Sequence, residues 1–221
     1  MGDSNEYFEL EQEKEELTRF IEAAPDRIRS YYSEDHPQPE DYPALNTPPA
    51  QIIVEDAADL IQYEFKLSKQ RDIVIFDGNW AQNRSFYTNI AIAVELLLNA
   101  HFMKGNPMEY AEKLENGDTL NLEKAKKEFM GNPGIKLSGA QRKRICLVVD
   151  LLKIKRNNIV HAGFHSQDHQ GVTAPMYEVI RFLFAHISEE DLDVIAELES
   201  AASNIRESGV GRQTKKIEFP I

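Results

Sequence analysis

A single cysteine in 221 residues leaves no possibility of an intramolecular disulfide framework. Cys146 sits in the apolar stretch RICLVV and reads as a small core residue. Long apolar runs are missing as well. The best one, IAIAVELLLNAHFM (90–103), is interrupted by Glu95, Asn99 and His101, and falls short of the roughly 18 apolar residues that a membrane-crossing helix requires. The opening MGDSNEYFELEQEKEE is acidic and lacks the cationic start and apolar centre of a secretory leader. Gly2 is not followed by a hydroxyl residue at the offset that myristoylation needs. A cytoplasmic protein is therefore expected. No phosphate-binding P-loop, G-x-G-x-x-G, G-x-S-x-G or C-x-x-C is present, which removes the common nucleotide, hydrolase and zinc signatures. There is no internal repeat.

An excess of basic residues is also lacking. The net charge of −12 argues against sequence-blind coating of nucleic acid. That charge is unevenly placed. Residues 1–41 hold thirteen acids and four bases, a net of −9, whereas residues 136–156 hold seven bases against Asp150 alone, a net of +6. A local basic stripe on an acidic chain suits a focused anionic ligand, although a solvated helix face carries the same signature. Hydrophobic and charged contents of 42% and 28% are ordinary for a globular chain long enough to bury one sizeable core.

Apolar spacing predicts a mostly helical protein. Residues 6–33 suit an amphipathic helix bent or broken near Pro25. EDHPQPEDYPALNTPPA (34–50), with five prolines, reads as an extended connector and places a boundary between an N-terminal segment, 1–50, and the main body, 51–221. Residues 51–69 form a further helix, with Ile53, Ala57, Leu60, Ile61 and Phe65 on one side. RDIVIFDGN (71–79) is strand-like, either an extended link or the partner of the C-terminal KKIEFPI (215–221). Long helices are expected at 82–103, at 138–162 (capped by Ser138 and stopped by Gly163), at 174–187 from Pro175, and at 191–207 behind a Ser188 cap. Weaker ones fit 107–115 and 120–130. Four long helices from residue 82 onward make a four-helix bundle the economical architecture.

The 138–162 helix ends in RNNIVHAG (156–163). With successive residues about 100° apart and Arg156 as zero, Asn157 falls near 100° and His161 near 140°. Ile159 and Val160 point elsewhere. One helix end thus offers a guanidinium, an amide and an imidazole, with Lys153 one turn upstream. Imidazole moves protons near neutral pH, guanidinium pairs with phosphate, and an amide orients, so the group suits a phosphodiester. No carboxylate cage for a divalent metal accompanies it, and no cofactor is implied.

The order R-N-x-x-x-H followed by Gly, late in a bundle helix, resembles the R-x4–6-H motif of the HEPN superfamily, here Arg156, Asn157 and His161. NIAIAVELLLNAHFM resembles that superfamily's first core helix, an apolar run carrying an acid, which places Glu95 at the acidic position; Asn99 stands where a lysine is common. The resemblance spans about residues 82–207 and leaves 1–80 unexplained. It implies an all-α, HEPN-like four-helix bundle with an added N-terminal helical segment. It further implies a homodimer whose two motifs face one cleft, and a metal-independent endoribonuclease of a toxin–antitoxin, phage-defence or stress system, with an antitoxin or defence-system protein as partner. His161 would then transfer the proton for 2′-hydroxyl attack, Arg156 would stabilise phosphate charge, Asn157 would orient, and Glu95 would hold Arg156 or His161 in place. Arg142, Lys143, Arg144, Lys153 and Lys155 would bind RNA, doubled at the dimer cleft. Gly163 replaces the tyrosine of a related R-x4-H-x-Y toxin type, so its modification is not expected. The alternative is a catalytically inactive HEPN-like module that binds RNA or protein.

Other features receive plainer readings. His161, His165, Asp168 and His169 lie close together, but Gly163 and SQDHQG interrupt the helix that would align them as metal ligands, so a polar loop is expected. His101 and His186 sit among aromatics as packing histidines, and Trp80 reads as an anchor at a helix start. The acidic arm 1–41 beside a basic stripe also raises the idea of intramolecular masking.

Overall fold

The computed structural model describes residues 3–33, 47–70, 80–118, 122–157, 173–188, 192–207 and 219, and every regular element among them is an α-helix. In chain order these are α1 (Asp3–Glu22), α2 (Ala24–Tyr32), α3 (Pro49–Gln70), α4 (Trp80–Gly105), α5 (Pro107–Glu115), α6 (Leu122–Gly131), α7 (Gly139–Asn157), α8 (Thr173–Ile187) and α9 (Asp193–Glu207). The strand-like run 71–79 and the C-terminal segment around it in the expectation lie outside the described residues, apart from a buried Phe219 that stacks on Phe182 at 4.9 Å.

Local chemistry sets the ends. Pro25 occupies the first turn of α2, where its missing N–H costs nothing. Backbone bonds run across the junction with α1, from Ala23 N to Arg19 O and from Arg27 N to Ala23 O, both 3.1 Å, so the chain bends without losing its ladder. α5 stops at Gly117, whose φ of +70° lets its N–H and that of Asp118 turn back to Leu114 O and Lys113 O. α7 starts with a reciprocal capping box. Gln141 N donates to Ser138 Oγ at 3.3 Å, and Ser138 N donates to Gln141 Oε1 at 2.7 Å.

α4 organises the rest. Its Phe86, Ile90, Val94, Leu97, Leu98 and Phe102 are buried on several sides of the helix, so α3, α5, α6, α7 and α8 all pack around it. The span Ser85–Gly105 is apolar and long enough by composition to cross a membrane, more than its polar interruptions suggested, and 61% of that window is buried by the rest of the chain. α8 is buried along most of its length and carries α9 through Val194, Leu198 and Ala202. α3 buries Val54, Ala57, Ala58, Ile61 and Phe65, while the expected Ile53 and Leu60 are half-buried at its edges.

One boundary differs from the expectation. α3 packs against α4 more extensively than any other pair of elements, within the expected main body 51–221. α2 is not part of a separate appendage: Pro25 and Ile28 are buried, α2 lies along α5, and Arg29 Nη2 meets Glu115 Oε2 at 2.5 Å. Prolines in sequence mark a connector, and packing on both sides of it joins α2 and α3 to one body. α1 alone stands off, with residues 11–22 all exposed.

His101 and His186 are packing residues, as expected. His101 meets the edge of Phe129 at 4.9 Å, and His186 lies 4.1 Å from Phe182 with Nδ1 at 3.2 Å from that residue's carbonyl oxygen. Burial lowers the pKa of both; the charges of Lys104 and His186 lower His101 further, Glu128 opposes this, and the Phe182 carbonyl opposes burial at His186. The unfolded chain therefore binds more protons than the folded one once the pH falls below about 6.5, and stability is lost as pH falls through the depressed folded values. Urea midpoints measured between about pH 7.5 and 5 should drop, with a shallower drop in His101→Gln/His186→Gln. An unchanged slope in that double variant would exclude these histidines as the cause.

Candidate functional site

The packing of α7 on α4 brings two residues together that are 61 positions apart. Ile145, Val148, Val149 and Leu152 fix the inner face of α7. The last turn of α7 then sets Arg156 against the middle of α4, where its Nη1 donates to Glu95 Oε2 at 2.7 Å. The pair lies at the surface, with the Arg156 side chain 38% exposed and that of Glu95 25% exposed. Among the described residues Glu95 is the one partner of Arg156. Glu95 thus holds one N–H of the guanidinium, and no other described residue takes the remaining donors. Asn157 ends α7 on the exposed side, about 100° round from Arg156. His161 lies outside the described residues, as do Gly163, His165, Asp168 and His169. The structure thus joins Glu95 to Arg156 and leaves Asn157 exposed at the end of the same helix, while His161 lies outside the described residues.

A second clamp sits one residue back. Lys155 is 7% exposed, and its ammonium lies 3.7 Å from the centroid of the buried Tyr87 ring on α4. This corrects its expected place among RNA-binding residues: it is part of the core packing. The reason is helical phase, since Lys155 follows Val148 and Leu152 at i+7 and i+3. That signal is present in the sequence and outweighs the charge. Glu64, buried in phase with Ala57 and Ile61, shows the same rule; its Oε1 accepts from Ser85 Oγ at 2.8 Å and Asn89 Nδ2 at 2.5 Å.

The other expected RNA-binding residues do not form one stripe. Consecutive bases on a helix diverge by about 100° each and meet different neighbours. Arg142 donates to the carbonyls of Met130 and Leu137 and so pins the link between α6 and α7. Arg144 binds Glu178 at 3.2 Å, and Arg206 from α9 binds the same carboxylate at 2.6 Å. Lys153 bridges to Glu123 at 3.1 Å. Glu123 also meets Lys126 at 2.9 Å, and these two ammonium groups, Lys126 first, hold its carboxyl below the usual range. Lys143 is exposed and unpaired among the described residues. No three His, Cys, Asp or Glu side chains converge on a metal-sized site among the described residues.

No protein-family model matches the chain, and no curated protein or solved structure matches it either.

The ion pair and the buried stack should differ in energetic weight. A double-mutant cycle on Glu95→Ala and Arg156→Ala should return a coupling of about 0.5–1 kcal/mol, the scale of a half-exposed pair. Lys155→Ala should cost about 2 kcal/mol, because it removes a buried stem together with a desolvated cation–π contact. Chemical denaturation measures both, and a Lys155→Ala loss no larger than that of Arg156→Ala would overturn this ordering.

Proposed function

We propose that this chain is a metal-independent endoribonuclease of HEPN type, acting as a homodimer in the cytoplasm. The observation that carries the reading is the 2.7 Å contact between Glu95 and Arg156, the acidic and basic positions that the resemblance singles out on two separate helices. A carboxylate that fixes one edge of a guanidinium leaves the other edge oriented for phosphate at low entropic cost.

In this mechanism His161 takes the proton of a ribose 2′-hydroxyl. The 2′-oxygen forms a bond to the adjacent phosphorus, the bond from phosphorus to the 5′-oxygen breaks, and the departing oxygen is protonated. Arg156 stabilises the charge that builds on the phosphoryl oxygens, and Asn157 orients the phosphate or the imidazole. DNA, which lacks the 2′-hydroxyl, is bound without being cut. Two copies facing each other would supply a second Arg156 and Lys143. Arg142, Arg144 and Lys153 are occupied by this chain's own acids and carbonyls, so most of the phosphate contact falls to those two residues. An antitoxin or defence-system protein would neutralise or trigger the activity.

That same pairing favours a second reading, a catalytically inactive HEPN-like module that binds a protein. Cations already neutralised at home attract RNA weakly, and Leu147 and Ile154 stand exposed on α7.

Mixed RNA incubated with purified protein in EDTA separates the two. Cleavage by the wild type, with at least a hundredfold loss in both His161→Ala and Arg156→Ala, is the expected result. Equal activity in all three proteins would sink the site assignment. No cleavage by any of them would favour the binding module.

A further inference from the structure

Residues 11–22 of α1 have no cover among the described residues. Leu17, Phe20 and Ile21 are 58%, 58% and 60% exposed, and the whole of 11–22 faces solvent. Leu10, Lys14, Leu17 and Ile21 repeat at spacings of four, three and four, the register of a helix that packs lengthwise on another helix. Acids flank that line on both sides: Glu13 and Glu16 along one edge, Glu11, Glu15 and Glu22 along the other. The α1 segment carries eight acids and two bases, a net of −6. Most helical stability in a protein comes from packing of the apolar face, which residues 11–22 lack within the described chain. Its C-terminal end is anchored by the Ala23 N to Arg19 O bond at 3.1 Å and by Arg27, whose guanidinium lies 3.8 Å over the Phe20 ring and donates to Phe20 O at 3.0 Å.

α7 offers the complement. Leu147 and Ile154, two turns apart, are 58% and 56% exposed, with half-buried Leu151 between them and exposed Lys143 one turn before. Lys143 is unpaired among the described residues, whereas Arg144, Lys153 and Arg156 already meet acids of this chain and Lys155 is buried. The two helices match in length, about 30 Å for α1 and about 28 Å for α7. Like charges oppose the pairing of α1 with another α1, whereas Lys143 gives the exposed face of α7 a cation for the glutamates of α1. In its own chain α1 continues into α2, which is held on α5 by Ile28 and the Arg29–Glu115 bridge, and in that position residues 11–22 stay exposed.

We propose that α1 is an exchange arm. In an assembly of two copies, the Leu17–Ile21 face of each α1 lies on the Leu147–Ile154 face of α7 in the other copy, with glutamates of α1 against Lys143. This uses neither Arg156 nor His161, so it stands or falls apart from RNA cleavage. Asn157 ends the same exposed side of α7, which puts the arm next to the candidate site.

Sedimentation of the full chain tests the exchange, beside Leu17→Asp/Ile21→Asp and Leu147→Asp/Ile154→Asp. All four positions are exposed, so circular dichroism and unfolding midpoints should stay at wild-type values. The wild type should sediment as two copies, and each double variant should weaken the association by about a hundredfold or more. Carbodiimide coupling in a mixture of ¹⁴N and ¹⁵N chains should join an α1 glutamate to Lys143 of the other label. A one-copy wild type would overturn the proposal. Dissociation of only the α7 variant would point to α7 paired with itself, and dissociation of only the α1 variant to a different seat for the arm; either overturns it. Cross-links confined to single-label chains would show the arm folding back on its own α7, which overturns the exchange as well.

Discussion

A helix that is apolar on nearly every side must be surrounded, and α4 is that helix. Burying each of its large aliphatic and aromatic side chains contributes about 1.5–3 kcal/mol, and this is recovered only if neighbours close over several faces at once. The consequences run through the molecule. α3 lies along one side, α7 and α8 along others, and α5 and α6 cover the end. The same closure fixes where α7 can sit, and so where Arg156 arrives. The contact with Glu95 follows from core packing as much as from attraction between the charges, because a half-exposed ion pair is too weak to place a helix. The heavier clamp is the neighbouring Lys155, whose stem and ammonium are shut in against Tyr87.

Electrostatics act on a finer scale than the sequence totals suggest. The basic segment before RNNIVHAG dissolves into separate contacts in three dimensions. Arg144 and Arg206 share Glu178, Lys126 and Lys153 share Glu123, and Arg142 is spent on carbonyl oxygens. These bridges join α7 to α8, α9 and α6 around the rim of the core. Each rim pair is worth little alone, but a shared carboxylate fixes two cations in one geometry. The surplus negative charge stays on the arm, where the exposed residues 11–22 of α1 hold five acids.

The helix order was legible because its signals are local. Apolar residues at three-to-four spacing, the Ser138 cap and Pro25 at a helix start all act within a few residues, and α4 through α9 begin and end within a few positions of the expected bounds where they are described. What was not legible depends on distant partners. Nothing in 20–33 announces that Ile28 will be buried by α5, and five consecutive-looking prolines suggested a domain boundary that packing crosses. The bases of α7 were read by charge when phase was the stronger guide for Lys155. At the candidate site, Glu95 and Arg156 were each visible as residues that a core helix does not need, and their meeting required the fold. His161, the third member, lies outside the described residues.

Polar residues on this chain therefore divide by what an apolar replacement would do. At Lys155 and Glu64 the site is closed around the charge, so the side chain serves the fold. At Arg156 the surroundings are open and the guanidinium retains donors that nothing among the described residues uses. Among the described residues a hydrophobic residue there would lose one surface bridge, so the described packing gives little reason for an arginine paired to a glutamate on the central helix. That asymmetry is what favours the proposed anionic ligand at this place. An anion that takes the unused donors would find the guanidinium already oriented by Glu95, with Asn157 at the same helix end.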